Sequence, residues 1–98
     1  MDTRSALDSL RRHEAAVRSM GATGLFLFGS VARNEATPQS DLDLFIDYDE
    51  SGAFSLLDLV GIKQYLEESL HAEIDVTTRD SLHPALREKI EGNAIQVF

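Results

Sequence analysis

Between Thr3 and Met20, apolar or small side chains recur at Ala6, Leu7, Leu10, Val17 and Met20 with charges between them, a spacing that predicts an amphipathic helix. Gly21 is placed to stop that helix, and Gly24 prolongs the break. Leu25-Phe26-Leu27-Phe28 is a short unbroken apolar run, as expected of a strand buried on both faces. Gly29-Ser30 then opens a short helical turn over Val31-Ala32-Arg33, and a polar loop follows through Pro38. From Ser40 the pattern alternates, and Asp41-Leu42-Asp43-Leu44-Phe45-Ile46-Asp47 predicts a second strand. A long helix is expected from about Phe54 to Leu70, its apolar stripe made of Leu56, Leu59, Val60, Tyr65, Leu66 and Leu70. Glu73-Ile74-Asp75-Val76-Thr77 predicts a third strand. Pro84 suits the first turn of a last helix bearing Leu86 and Ile90, with Gly92 as its stop, and Ala94 to Phe98 adds a final short strand. The pattern is α+β: one domain over residues 1–98, with helices packed on a small sheet.

Composition narrows what such a domain can do. Ninety-eight residues allow one modest core, burying roughly 60–65% of the surface exposed in the unfolded chain. No apolar run approaches the ~20 residues a membrane helix needs, and the N-terminus lacks the pattern of a signal peptide. The chain has no cysteine, which excludes disulfides, thiolate metal sites and cysteine nucleophiles, and a cytoplasmic setting is expected. Seventeen acidic against nine basic residues give a net charge of −8. Proteins that grip free nucleic acid rely on basic patches, so neither free DNA or RNA nor a membrane is an expected partner. A basic protein or a metal-neutralised nucleotide fits the charge.

Candidate chemistry begins at Phe28-Gly29-Ser30. A strand feeding a helix through glycine brings backbone N–H groups toward whatever sits there, and glycine admits a phosphate closely. Ser30 would cap the helix or donate to a phosphate oxygen; an ordinary capped turn reads the same way. Asp41 and Asp43, two apart on a strand, share one face at a Cα spacing of about 6.6 Å, while Leu42 and Leu44 face the core. Carboxylates so placed can hold a hard cation, magnesium above all. A solvated strand face gives the same alternation, yet aspartate is depleted in strands and close like charges repel. Asp75, on the polar face of the third strand, would bring a third carboxylate beside the same turn. Such a constellation suits two-metal phosphoryl or nucleotidyl transfer. His13, His71 and His83 show no ligand spacing; His13 falls on the polar side of the first helix and His71 near the end of the second.

Gly29-Ser30-Val31-Ala32-Arg33, ten residues from 31 to 40, then Asp41-Leu42-Asp43-Leu44 resembles the signature of the minimal nucleotidyltransferases of the DNA polymerase β-like superfamily. The likeness extends over nearly the whole chain, through Leu56-Leu57-Asp58-Leu59 and Ile74-Asp75-Val76, and departs at Asn34, where the family commonly has glycine. It implies a polymerase β palm-like fold with a small mixed sheet. It implies ATP as substrate and two magnesium ions held by Asp41, Asp43 and Asp75. Gly29 and Ser30 would hold the triphosphate, with Arg33 and Ser40 in support, Arg33 alternatively pairing with Glu35 or Asp47. Asp75 would help take the proton of the attacking hydroxyl. Related enzymes hold their acceptor on extra domains, so here the acceptor is expected on another molecule. For this family that implies a HEPN-domain ribonuclease toxin, silenced by AMP transfer, with tyrosine the expected acceptor. Two other readings stay open: a non-catalytic antitoxin acting by occlusion, and a transferase for a small molecule such as an antibiotic. RNA tailing fits the acidic balance poorly.

Overall fold

A computed structural model of the chain describes residues 2–37 and 40–98. Pro38, the expected end of the polar loop, lies outside them. Four strands form one mixed sheet in the order β3-β2-β1-β4: β1 (Ala22–Phe28), β2 (Leu42–Tyr48), β3 (Ile74–Thr78) and β4 (Ile95–Gln96). β1 runs antiparallel to both β2 and β4, whereas β2 and β3 are parallel. The parallel pair needs a crossover, and α4 (Leu56–Leu70) supplies it.

Alternation along the strands sorts the side chains into two layers. Leu25 and Leu27 of β1, Leu42, Leu44 and Ile46 of β2 and Ile74 of β3 are buried with Ala6, Leu10, Val17, Ile62 and Leu66 from the helices. The opposite face of β1 and β2 carries Phe26 and Phe45, stacked with ring centroids 4.8 Å apart. Arg79 closes that second layer, its guanidinium 4.7 Å from the Phe26 ring and 5.0 Å from Phe45. The same guanidinium donates to both Asp47 carboxylate oxygens at 2.7 and 3.0 Å and to Glu91 at 2.8 Å. Glu91 belongs to α5 (Pro84–Asn93), so Arg79 ties this last helix to the aromatic face of the sheet.

Several boundaries depart from the periodicity. The first helix is two, α1 (Thr3–Arg11) and α2 (Glu14–Ser19), parted at Arg12 and His13. There the His13 N–H turns to the Leu10 carbonyl at 3.0 Å, and the His13 ring meets the Tyr65 hydroxyl at 2.7 Å. A histidine that periodicity puts on the polar side is thus half-buried against α4. Gly24 does not prolong a break but lies inside β1, at a register shift, where a Cβ would stand 3.2 Å from the Phe26 ring. Gly21 does end α2, at φ 114°. β2 starts one residue later than expected, with Asp41 just before it. α5 runs through Gly92 to Asn93, and His83 caps it by accepting the Ala85 N–H at 3.1 Å. His71 ends α4 in the left-handed region at φ 53°.

Candidate active site

β1 delivers its last residue, Phe28, opposite Asp43 of β2, and Asp43 in turn stands opposite Asp75 of β3. The next residue, Gly29, has φ 76°, and a Cβ there would lie 2.2 Å from an Asp43 carboxylate oxygen. Only glycine lets the turn pass this close to the acid. α3 (Gly29–Ala32) follows directly and is braced from α1, whose Thr3 hydroxyl donates to the Val31 carbonyl. Its end is a Schellman motif: Glu35 N–H bonds to the Ser30 carbonyl at 2.8 Å and Asn34 N–H to Val31 at 3.1 Å. Asn34 sits there at φ 57°, the left-handed conformation that asparagine tolerates and glycine favours. The departure from the family pattern is therefore conformationally equivalent.

The third strand is held by α4. Lys63 donates to the Ile74 carbonyl at 2.9 Å, and Glu67 accepts the Ile74 N–H at 3.2 Å. One turn of α4 thereby fixes both backbone groups of the residue before Asp75. On the other side of the same strand pair, the Leu42 N–H bonds to the Glu73 carbonyl at 3.1 Å, setting the residue after Asp41. Asp75 itself is exposed, while Asp41 and Asp43 are half-buried.

Burial, then the Asp75 charge, then that of Asp41 push the Asp43 carboxyl above the usual aspartate value, with Arg33 pulling weakly the other way. The three acids thus share one electrostatic field. Among the described residues no group of three Asp, Glu, His or Cys side chains is drawn into a ready cation cage. The donor set nonetheless fits magnesium in kind: hard carboxylate oxygens, two half-buried and one open to solvent, leaving room for water and phosphate oxygens to complete a shell.

The supporting residues separate. Ser30 does not cap α3: the cap position is Phe28, with no side-chain bond. Ser40 accepts the Thr37 N–H on its hydroxyl at 2.9 Å and braces the loop entering β2. Arg33 pairs with Glu35 at 3.1 Å; Asp47, the other partner open to it on sequence, is taken by Arg79. Arg33 also borders a cleft of about 350 Å³ against Gly29, lined by Phe28, Gly29, Arg33, Lys89, Ile90 and Asn93. The α5 residues of this cleft escape sequence reasoning. Their one signal is that Lys89 is one of only two lysines in an acidic chain.

The nucleotidyltransferase domain family's model matches residues 10–97. A Methanocaldococcus jannaschii relative named as a protein adenylyltransferase is 46% identical over 72 residues, covering 74% of this chain and 75% of its own. A solved structure described as a minimal nucleotidyltransferase superposes with a TM-score of 0.74 at 39% identity, over 97% of this chain and 95% of that one. A chain in the structure of tri-AMPylated Shewanella oneidensis HEPN toxin in complex with MNT antitoxin shares the fold, with a TM-score of 0.64 at 15% identity over 90% of this chain and 68% of its own.

Proposed function

The chain belongs to the nucleotidyltransferase domain family, and from that premise we propose that it transfers AMP from ATP to a tyrosine hydroxyl of a HEPN-domain ribonuclease toxin, as that toxin's antitoxin in the cytoplasm. The observation that carries this reading is the register of Phe28, Asp43 and Asp75, which lines up the phosphate-type turn and two acids across adjacent strands. Asp41, Asp43 and Asp75 would hold two magnesium ions, which when bound neutralise phosphate charge and align the attacking and leaving oxygens. Gly29 and Ser30 hold the triphosphate, the glycine by leaving space and the serine by its hydroxyl. Ser40 sets the loop that carries Asp41. Asp75 accepts the proton of the acceptor hydroxyl; its exposure suits an acceptor arriving on another molecule. Residues 1–98 act as one transferase domain, contributing mainly position and a fixed electrostatic field.

Three features support a protein as acceptor. The M. jannaschii relative is named as a protein adenylyltransferase, and the S. oneidensis toxin is AMPylated in its complex. The net charge of −8 disfavours free nucleic acid and suits a partner with a basic surface. At the start of α4, Leu56 and Leu57 stand 73% and 83% exposed, an apolar surface of the kind a protein partner covers.

The test is intact mass spectrometry of a HEPN-domain protein encoded beside this chain, co-produced with wild type or with Asp41→Asn/Asp43→Asn. Mass added in whole AMP units with wild type alone is the expected result. An unmodified partner that is bound and silenced replaces transfer with occlusion. If no complex forms and no mass is added, the protein acceptor is wrong and a small-molecule acceptor takes its place.

A further inference from the structure

AMP transfer leaves negative charge on the departing pyrophosphate. As the acceptor oxygen bonds to the α-phosphorus, the bond from that phosphorus to the bridging oxygen breaks. Pyrophosphate departs with the electron pair, and the hydroxyl proton goes to a carboxylate. Beyond what bound magnesium neutralises, a leaving group so charged is held better where the chain itself supplies cations.

The cleft beside Gly29 offers them. Its lining takes no residue from β2 or β3, where the acids are; it is built from the end of β1, the α3 turn and α5. α5 runs into β4, which pairs with β1 on the side away from β2. The order across the sheet is therefore Asp75, Asp43, the Gly29 turn, then the cleft. Two of the chain's nine basic residues, Arg33 and Lys89, line it. Most of the others have work elsewhere: Arg79 and Arg87 pair with Glu91, Lys63 with Glu67, and Arg18 with Glu14, while Arg11 donates to backbone carbonyls of Gln96 and Val97. The Lys89 ammonium makes no ion pair or hydrogen bond among the described residues. Its backbone is held, since Asn93 donates to the Lys89 carbonyl at 2.9 Å. An exposed cation with a fixed base and, among the described residues, no partner, set beside a glycine turn, fits a mobile phosphate chain.

We propose that Lys89, with Arg33 on the same cleft, binds the β- and γ-phosphates of the incoming nucleoside triphosphate and then the pyrophosphate that leaves. The assignment rests on the nucleotidyltransferase reading and adds a residue of α5 to it. Titration calorimetry with magnesium and, in turn, ATP, inorganic pyrophosphate and AMP tests it on wild type, Lys89→Met and Lys89→Arg. Lys89→Met is expected to weaken ATP and pyrophosphate about tenfold while leaving AMP unchanged, as loss of one charge-assisted phosphate contact requires. Lys89→Arg is expected to stay within about threefold of wild type, and all three proteins to melt alike, because the side chain is exposed. Equal ATP binding by wild type and Lys89→Met overturns the assignment and leaves the transferase reading intact. A matching loss for AMP also overturns it, placing the nucleoside in the cleft instead. Wild type that binds no ATP at all removes the transferase reading, and this assignment with it.

Discussion

Asp43 lies close against Gly29 and opposite Asp75 on the neighbouring strand, and its ionisation is opposed by burial and by two neighbouring carboxylates. An acid raised on folding contributes stability that is fully present below its unfolded value, 3.8 for aspartate, and is lost as pH rises through the folded value. At neutral pH the folded protein therefore carries a charge it would be more stable without. Asp43→Asn is expected to melt higher than wild type at pH 7 without magnesium, and to converge with it as pH falls toward the ordinary carboxylate range. Saturating magnesium-ATP should stabilise wild type and not the variant, which should also lose transfer. Thermal melts across pH, with and without ligand, check all of this; a variant less stable than wild type at pH 7 would show that Asp43 serves the fold. The pairing behind this prediction was half legible. Gly29, Asp41, Asp43 and Asp75 stand out as residue types at telling spacings. The contact between Gly29 and Asp43 is a matter of strand register, which no local spacing encodes.

At the scale of elements, strands and helices follow the apolar pattern, and the misses share one cause. Periodicity marks which face of an element is apolar but not which neighbour reaches it. Tyr65, far along the chain, takes hold of His13 where the first helix divides. Gly24 reads as a breaker, yet in β1 it makes room for the Phe26 ring. Nothing in the local pattern singles out Arg79, which the fold sets over two phenylalanines and between two acids. It is the fastening of α5, and α5 carries Lys89 and Asn93 to the cleft. Arg79→Ala removes ion pairs to two carboxylates and a cation–π contact. It is expected to cost about 2 kcal/mol and to lower the melting temperature by about 10 °C in a domain of this size. Arg79→Lys should recover little, since an ammonium cannot span both Asp47 oxygens and lie flat on the rings. Chemical denaturation of the three proteins measures the difference; a loss under about 0.5 kcal/mol for Arg79→Ala would make α5 independent of this clamp.

At the scale of the whole molecule, charge and exposed apolar surface point the same way. A net charge of −8 disfavours binding to free nucleic acid, and the three candidate acids sit in a field that opposes ATP until cations enter. Of the apolar stripe expected on the long helix, Leu66 is buried and Leu59, Tyr65 and Leu70 pack partly buried against the core, whereas Leu56 and Val60 face water. Leu57, outside that stripe, is exposed beside them, and Ile62, also outside it, is buried. Asp58 stands among Leu56, Leu57 and Val60 along the chain, bonded to Ser55 in the capping box that starts α4, so the patch is edged by negative charge. Such a surface suits a partner that brings an apolar centre and a basic rim. Leu57→Glu puts charge at the centre of that patch without touching the core or any candidate site residue. It should leave the melting temperature and ATP binding unchanged, because the side chain is 83% exposed. It should weaken binding to the proposed HEPN-domain partner about tenfold or more and slow the proposed AMP addition in proportion. Titration of the partner, alongside ATP titration of the variant alone, separates docking from chemistry. If Leu57→Glu binds partner and nucleotide like wild type, the proposed partner engages another face, and the exposed start of α4 needs a different explanation.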